Sequence, residues 1–298
     1  MKIILIVAAG IIILFLAYLI WQYFELKKFK VTEYVVLSDK VQEEQRLAVI
    51  SDLHGYEYGN ANSRLMEKIR EMKPHFILIA GDLIVSKDTE TYKTALKTLE
   101  QLVQIAPVYY GFGNHESRVN REGLVVSEDF AAYRKAVKEL GVHILQNKNV
   151  LVRSEKDELS IGSVEIDLSY YQKKVDVPME ASYIGEIMGE AHQNYLQILL
   201  AHHPTYSEQY ASWGADLTFC GHNHGGLVRI PGIGSIISPQ LTLFPKYSDG
   251  LYEIDGKKVI VSRGLGTHTF HVRVFNRAEL LCVRVSNGSS AYSSHQVK

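Results

Sequence analysis

Five short stretches of this chain gather aspartate, histidine and asparagine. They are Asp52-Leu53-His54, Gly81-Asp82, Gly113-Asn114-His115-Glu116, His202-His203-Pro204 and Gly221-His222-Asn223-His224. Each alone has an ordinary reading. Asp-x-His and Gly-Asp fit turns closed by side-chain hydrogen bonds, Gly-Asn-His fits a loop with a left-handed asparagine, and His-His-Pro fits the exit of a strand. Together, five stretches of one chemical kind point to a shared site. Carboxylate, imidazole and carboxamide oxygen are ligands for borderline-hard divalent ions such as Mn, Fe and Zn. Seven candidate ligands are too many for one tetrahedral ion. They suit two ions bridged by a shared carboxylate, roughly 3.5–4 Å apart, which clamp a phosphoryl group and activate water. His222 and His224 then stand two apart so that each reaches a different ion, and the glycines beside them let the backbone turn.

Such loops need strands to place them, and each follows an apolar run. RLAVISDLHG, HFILIAGD and APVYYGFGNHE read as buried strands ending in the first three stretches. Helical spacing over 62–74, 88–104 and 127–141 alternates with them, closed by a proline at 74 and a glycine at 141. Strand and helix in alternation predict a right-handed, largely parallel α/β sheet, whose ligands bind at strand carboxyl ends. In the second half, NVLVRSEKDELSIGSVEID reads as a hairpin, and YLQILLAHHP and ADLTFCGHNHGG as strands ending in the last two stretches. LVRI, LYEID, KVIVSRG and LLCVRV then follow as short antiparallel or mixed strands. Without a fixed repeat or a flexible linker after residue 45, residues 46–298 form one domain.

The chain has 298 residues, 46% hydrophobic, with a net charge of −1. That supports a sizeable core and argues against a nucleic-acid-binding surface. Cys220 and Cys282 lie in apolar strand-like runs and read as two small buried side chains, a single disulfide being the other reading. Residues 3–21 carry no charge. At 1.5 Å per residue this run is about 28 Å long, close to a hydrocarbon core of roughly 30 Å. Trp21, Tyr23 and Phe24 follow as an interfacial belt. We read residues 1–24 as an uncleaved, single-pass membrane anchor, rather than a cleaved signal peptide or a buried helix, and 25–45 as a polar connection. Lys27, Lys28 and Lys30 outnumber Lys2 and the terminal amine, which places the large domain in the cytoplasm by the positive-inside rule.

The ordered set D-x-H, G-D, G-N-H-E, H-x-P and G-H-x-H resembles the calcineurin-like metallophosphoesterase superfamily, over residues 46 to about 285. GHNHGGLVRIPG, VSRGLG and VRV...EL further resemble its bacterial membrane-associated branch of YkuE-like and YaeI-like phosphoesterases. The resemblance implies a four-layer αββα sandwich behind the N-terminal transmembrane helix, and two divalent ions as cofactors. It implies Asp52, His54 and His224 on one ion, Asp82 as the bridge, and Asn114, His202 and His222 on the other. His115 would protonate the leaving oxygen, with Glu116 as the acidic group orienting it. His203 has no motif role. A hydroxide between the ions would attack a phosphodiester, phosphomonoester or pyrophosphate, and the anchor suggests a lipid-linked substrate. Asn223 and Leu227 depart from residues common in relatives, which leaves substrate preference open. Arg263 reads either as a phosphate contact or as a structural arginine on loop carbonyls. Two alternatives are a non-enzymatic metal-binding scaffold and a metal-dependent peptidase or amidase. Against the first, no ligand position is missing; against the second stands the ordered motif set.

Overall fold

Runs such as Leu47–Ile50 and Phe76–Ala80 are apolar at every position, as strands covered on both faces must be. The computed structural model places both at the centre of a sheet. The structure describes residues 2–120, 128–154, 156–175, 177–230, 232–267 and 271–288. The strands are β1 (Phe29–Leu37), β2 (Gln45–Ile50), β3 (Phe76–Ala80), β4 (Val108–Gly111), β5 (His143–Leu145), β6 (Lys148–Ser154), β7 (Asp157–Val164), β8 (Leu196–Ala201), β9 (Leu217–Cys220), β10 (Val228–Ile230), β11 (Gly234–Ile237), β12 (Gly250–Ile254), β13 (Lys257–Val261) and β14 (Ala278–Ser286). The helices are α1 (Lys2–Leu26), α2 (Ser63–Met72), α3 (Glu90–Leu102), α4 (Asn114–Asn120), α5 (Glu128–Glu139), α6 (Tyr183–Met188) and α7 (Ser207–Trp213).

One six-stranded sheet has the order β1-β14-β2-β3-β4-β5, and a second has β12-β13-β9-β8-β7-β6. In the first, only β14 and β2 run antiparallel. In the second, β7, β8, β9 and β13 are parallel, and the outer pairs β12–β13 and β6–β7 are antiparallel. Strand side chains alternate between faces, and β2 divides accordingly. Leu47 and Val49 join Leu78, Ile161, Ile198 and Phe219 in the core between the sheets. Ala48 and Ile50 face the other way, against Leu65, Ile69, Leu99 and Phe130 of α2, α3 and α5. Beyond the second sheet, Leu199 and Val259 pack with Ile184 and Tyr210 of α6 and α7. Three cores separate four layers: helices, sheet, sheet, helices.

The predicted helices over 62–74, 88–104 and 127–141 are found as α2, α3 and α5, shorter by one or two residues at their described ends. Residue 127 lies outside the described residues, as does the predicted domain end at 289–298. The predicted hairpin is β6–β7. Residues 31–45, read from sequence as a connection, depart from expectation. They carry most of β1, which pairs in parallel with β14 from Phe29↔Ala278 to Leu37↔Ser286. An edge strand needs only one apolar stripe, and FKVTEYVVL interrupts its apolar residues with charge. Both cysteines are free thiols, Cys220 buried and Cys282 half-buried.

Helix α1 is the described helix long and apolar enough to cross a membrane. Among its described side chains Ile3, Ile11, Phe15, Ile20 and Phe24 are exposed, while its carboxyl end is fastened to the domain. Gln22 exchanges two hydrogen bonds with the Arg273 backbone, Arg277 forks onto Glu25, and Tyr56 donates to the Leu26 carbonyl.

Candidate metal centre

All five polar stretches leave the carboxyl ends of strands, three from the first sheet (β2, β3, β4) and two from the second (β8, β9). The two sheets stack face to face, so the five loops meet at one end of the sandwich. Backbone bonds lace them together: Asp52 N donates to Gly81 O, His54 N to Asp82 O, and Gly221 N to His202 O. Five of the seven expected ligands hold the left-handed conformation: Asp52 (φ 49°), His54 (49°), Asp82 (56°), His222 (66°) and His224 (48°). Non-glycine residues enter that region at a cost of about 1–3 kcal/mol each, and persist there when surrounding structure imposes it. This is how side chains two apart turn toward one point.

Two glycines serve close approach. A Cβ at Gly113 would collide with Asp82 Oδ1, and one at Gly221 with Asp52 Oδ2. Each carboxylate has one oxygen pinned by a backbone N–H of another site residue. His222 N donates to Asp52 Oδ1 and His115 N to Asp82 Oδ1, both at 2.9 Å. Imidazoles surround them. His202 Nε2 lies 3.1 Å from Asp82 Oδ2 and 3.7 Å from Asp52 Oδ1. His224 Nε2 lies 3.5 Å from Asp52 Oδ1 and 3.2 Å from His54 Nε2. His202 Nδ1 sits 2.7 Å from the Ala80 carbonyl and His54 Nδ1 3.3 Å from that of Ile84. Donation to a carbonyl from Nδ1 leaves the Nε2 lone pair turned into the cluster, the usual arrangement behind a histidine ligand.

The electrostatics ask for positive charge here. Burial pushes the Asp52 carboxyl up to about 6, with His202 working against it. Burial alone would also raise Asp82, but His202, His115 and His54 outweigh it and hold that carboxyl well below its usual range. Burial opposes charge on the His202 ring, yet Asp82 and Asp52 carry it up to about 10. Burial holds His222 well below its usual value, and drives His203 down to about 3. Two buried carboxylates that draw a proton onto His202 while His222 is held neutral call for positive charge, which a divalent cation supplies with this donor set.

The residues fit two such ions. Ligand atoms of Asp52, His54 and His224 lie within 4.8 Å of one another, as do those of His54, Asp82 and His115, and those of Asp82, His202 and His222. Asp52 Oδ2 and His222 Nε2 are buried without a hydrogen-bond partner, the condition of atoms meant for a metal. Asn114 lies beside the third group, its carboxamide 2.8 Å from His222 Nδ1.

His115 stacks edge-on against His54, and its Nδ1 accepts from Ser86 N at 3.0 Å. A neutral ring accepting at Nδ1 carries its proton on Nε2. Glu116 does not orient it. Its carboxylate accepts from the N–H groups of Asp82, Leu83, Ile84 and Gly113 and from Tyr110 Oη, tying the β3 loop to the β4 loop. Adjacent residues on a helix do not face each other, and both belong to α4. The Arg263 guanidinium pairs with Asp249 and lies 3.9 Å from Glu279. The carbonyl-binding role falls to Arg273, buried and bonded to the oxygens of Arg263, Gly264, Gly266 and Asn276. Sequence reading missed Arg273, Tyr171 and Asn276. Tyr171 sets its ring 5.0 Å from that of His222, and Asn276 Nδ2 donates to His224 O and Gly226 O. None stands in a ligand-like pattern.

Above the cluster opens a cavity of about 440 Å³. His115, His222 and His224 reach its floor, Lys87, Arg118 and Lys173 its rim, and Leu227, Pro239 and Val272 one wall.

A buried carboxylate–imidazole cluster at the strand ends of two stacked α/β sheets defines a metal-dependent phosphoric ester hydrolase. Comparison with known families makes the class particular. Residues 45–226 match the calcineurin-like phosphoesterase family, more than half of the chain, and the chain belongs to that family. Among curated proteins it is similar to the phosphodiesterase YaeI of Escherichia coli, 26% identical over 66% of this chain and 65% of that one. The match thus spans just under two thirds of the relative. It is 23% identical to the uncharacterized metallophosphoesterase YkuE of Bacillus subtilis, over 87% of this chain and 86% of that one. A zebrafish transmembrane protein with a metallophosphoesterase domain is 24% identical over 79% of this chain and 52% of its own length.

Proposed function

We propose that this chain is a membrane-anchored phosphoesterase with two divalent ions, Mn, Fe or Zn, acting on a phosphodiester, phosphomonoester or pyrophosphate of a lipid-linked substrate. The observation that carries this reading is the overlap of the three ligand groups, in which Asp82 and His54 are each shared. Asp52, His54 and His224 would hold one ion and Asn114, His202 and His222 the other, with Asp82 between them. When bound, such a pair supplies Lewis acidity at the phosphoryl group and lowers the pKa of water.

The chain's own residues do the rest. To give its Nε2 proton to the leaving oxygen, His115 must be the imidazolium, whose Nδ1–H can turn to Ser86 Oγ 3.2 Å away; the transfer leaves the neutral ring. Lys87, Arg118 and Lys173 draw a phosphoester anion to the rim. Tyr171, whose phenol burial raises well above its usual value, stays neutral against His222 and helps exclude water. Residues 1–24 are the anchor, and the lysines after it place the domain in the cytoplasm. The zebrafish relative's transmembrane name and the YaeI phosphodiesterase name are consistent with this. The domain then includes β1 and begins near residue 29.

The test is hydrolysis of a bis-aryl phosphate diester and of the aryl monoester by the full chain in detergent, reloaded with Mn²⁺, beside Asp82→Asn. Faster diester cleavage marks a phosphodiesterase, and faster monoester cleavage a phosphatase. A chain that binds metal yet cleaves neither, nor a lipid pyrophosphate, is a scaffold.

A further inference from the structure

Four backbone segments lie side by side along one wall of the cavity. Val274 bridges Val228 of β10, Val228 pairs with Ile237 of β11, and Ile237 bridges Leu243. Residues in register share a face, so these four apolar side chains form one row across the layer. The opposite face belongs to the protein. Arg229, between Val228 and Ile230, turns inward to Asp249 and the Gly225 carbonyl, and Ser235 is buried against Gly226. The outward row, by contrast, is exposed at Val228 and Leu243 and half-buried at Ile237 and Val274. Its turns carry the most exposed apolar side chains of the domain: Ile233 at 67% exposure, Leu243 at 65%, Phe244 at 64% and Phe275 at 62%. Single exposed apolar residues are ordinary, but a contiguous set marks a contact surface.

The layer is joined to α1. Phe275 sits 6.3 Å from Trp21 between ring centroids, Arg273 is bonded to Gln22, and Arg277 is paired with Glu25. Its inner side lines the cavity through Leu227, Gln240 and Val272. We infer that this layer is a lipid-contact face: Ile233, Leu243, Phe244 and Phe275 enter the bilayer that holds α1. The cavity therefore opens at headgroup level and takes its phosphoester from the plane of the membrane. The inference rests on the anchor reading above. Lipid is the occupant because the row continues, through Phe275 and Trp21, into the helix's own belt of aromatic side chains. Apolar tips beside a spanning helix deepen interfacial binding.

The test labels the full chain in vesicles of phosphatidylcholine and phosphatidylglycerol. In a Cys282→Ser background, an environment-sensitive fluorophore is placed at Ile233→Cys, Phe244→Cys, Leu14→Cys in α1, or Arg153→Cys at the far end of β6. Spin-labelled lipids are the quencher. The inference expects quenching at 233, 244 and 14 and none at 153. Quenching at 14 alone overturns the lipid-contact face and leaves the anchor standing. No quenching at 14 overturns the anchor reading and this inference with it. Label–label contact between copies at 233 or 244, without lipid quenching, assigns the face to a second chain instead. In activity, Ile233→Asp with Phe244→Asp is expected to lower cleavage of a vesicle-borne phosphoester about tenfold and leave a soluble aryl phosphoester in detergent unaffected. Equal loss on both substrates also overturns it.

Discussion

Two regions face each other across one cavity: the loops after β2, β3, β4, β8 and β9, and the layer built from β10, β11 and their flanking segments. In the loops, polar groups are buried and nearly every orientation is imposed by a backbone N–H, a carbonyl or a missing Cβ. In the layer, apolar groups are exposed and their outward side chains are held only by the register of short strands. Chemistry demands fixed geometry and accepts strain to obtain it. A surface meant for a fluid partner needs only the right character on the right side.

The comparison can be broken at its strong end first. Asp82→Asn keeps the shape but removes the one carboxylate charge shared between the ligand groups. Activity should fall on the order of 10³-fold, with bound metal measured by elemental analysis falling too. A variant retaining full activity would remove Asp82 from the centre. Gly113→Ala comes next. Its Cβ must displace Asp82 Oδ1, so a roughly 10²-fold rate loss should accompany a destabilisation of about 1–3 kcal/mol, read by thermal melting. A soluble, active, undiminished variant would show that the close approach is not required.

Arg273→Ala tests the seam between the two regions. It strips four loop carbonyls of a buried donor, and should cost about 3 kcal/mol with a smaller change in rate. Arg273→Lys should not rescue it, because one ammonium cannot reproduce the planar fork. Rescue by lysine would mean that charge alone matters there. The smallest effect belongs to the layer. Ile233→Ser should alter stability by no more than about 0.5 kcal/mol and leave cleavage of a soluble substrate unchanged. A large loss of stability would mean that the side chain is covered after all.

The same contrast explains what could be read from sequence. Ligand residues announce themselves because each stands just after an apolar strand, among glycines and in a chemically narrow alphabet. Five strand ends were therefore placed correctly from sequence patterns alone, and the alternation of β2 to β4 with helices gave the first sheet's centre. Residues acting through direction rather than type were not legible. Glu116 looks like a partner for His115, but the helical turn sends it to the Asp82 loop. Arg273 and Arg263 are two arginines in similar loops, and only packing decides which one gathers carbonyls and which meets Asp249. The strand β1 escaped because its partner β14 lies some 250 residues away in the chain, beyond any local pattern.

That pairing bears on how the molecule is made. Strand β14 inserts between β1 and β2, so β1 has no place on the first sheet until the chain has been synthesised through residue 285. Until then β2, apolar on both faces, presents an unpaired edge. Contacts of such long sequence separation make folding slow and expose intermediates to aggregation. Translation should therefore outrun folding. The metal loops on β2, β3 and β4 would be complete as sequence long before they are complete as a site, and this chain would lean on chaperones during that interval.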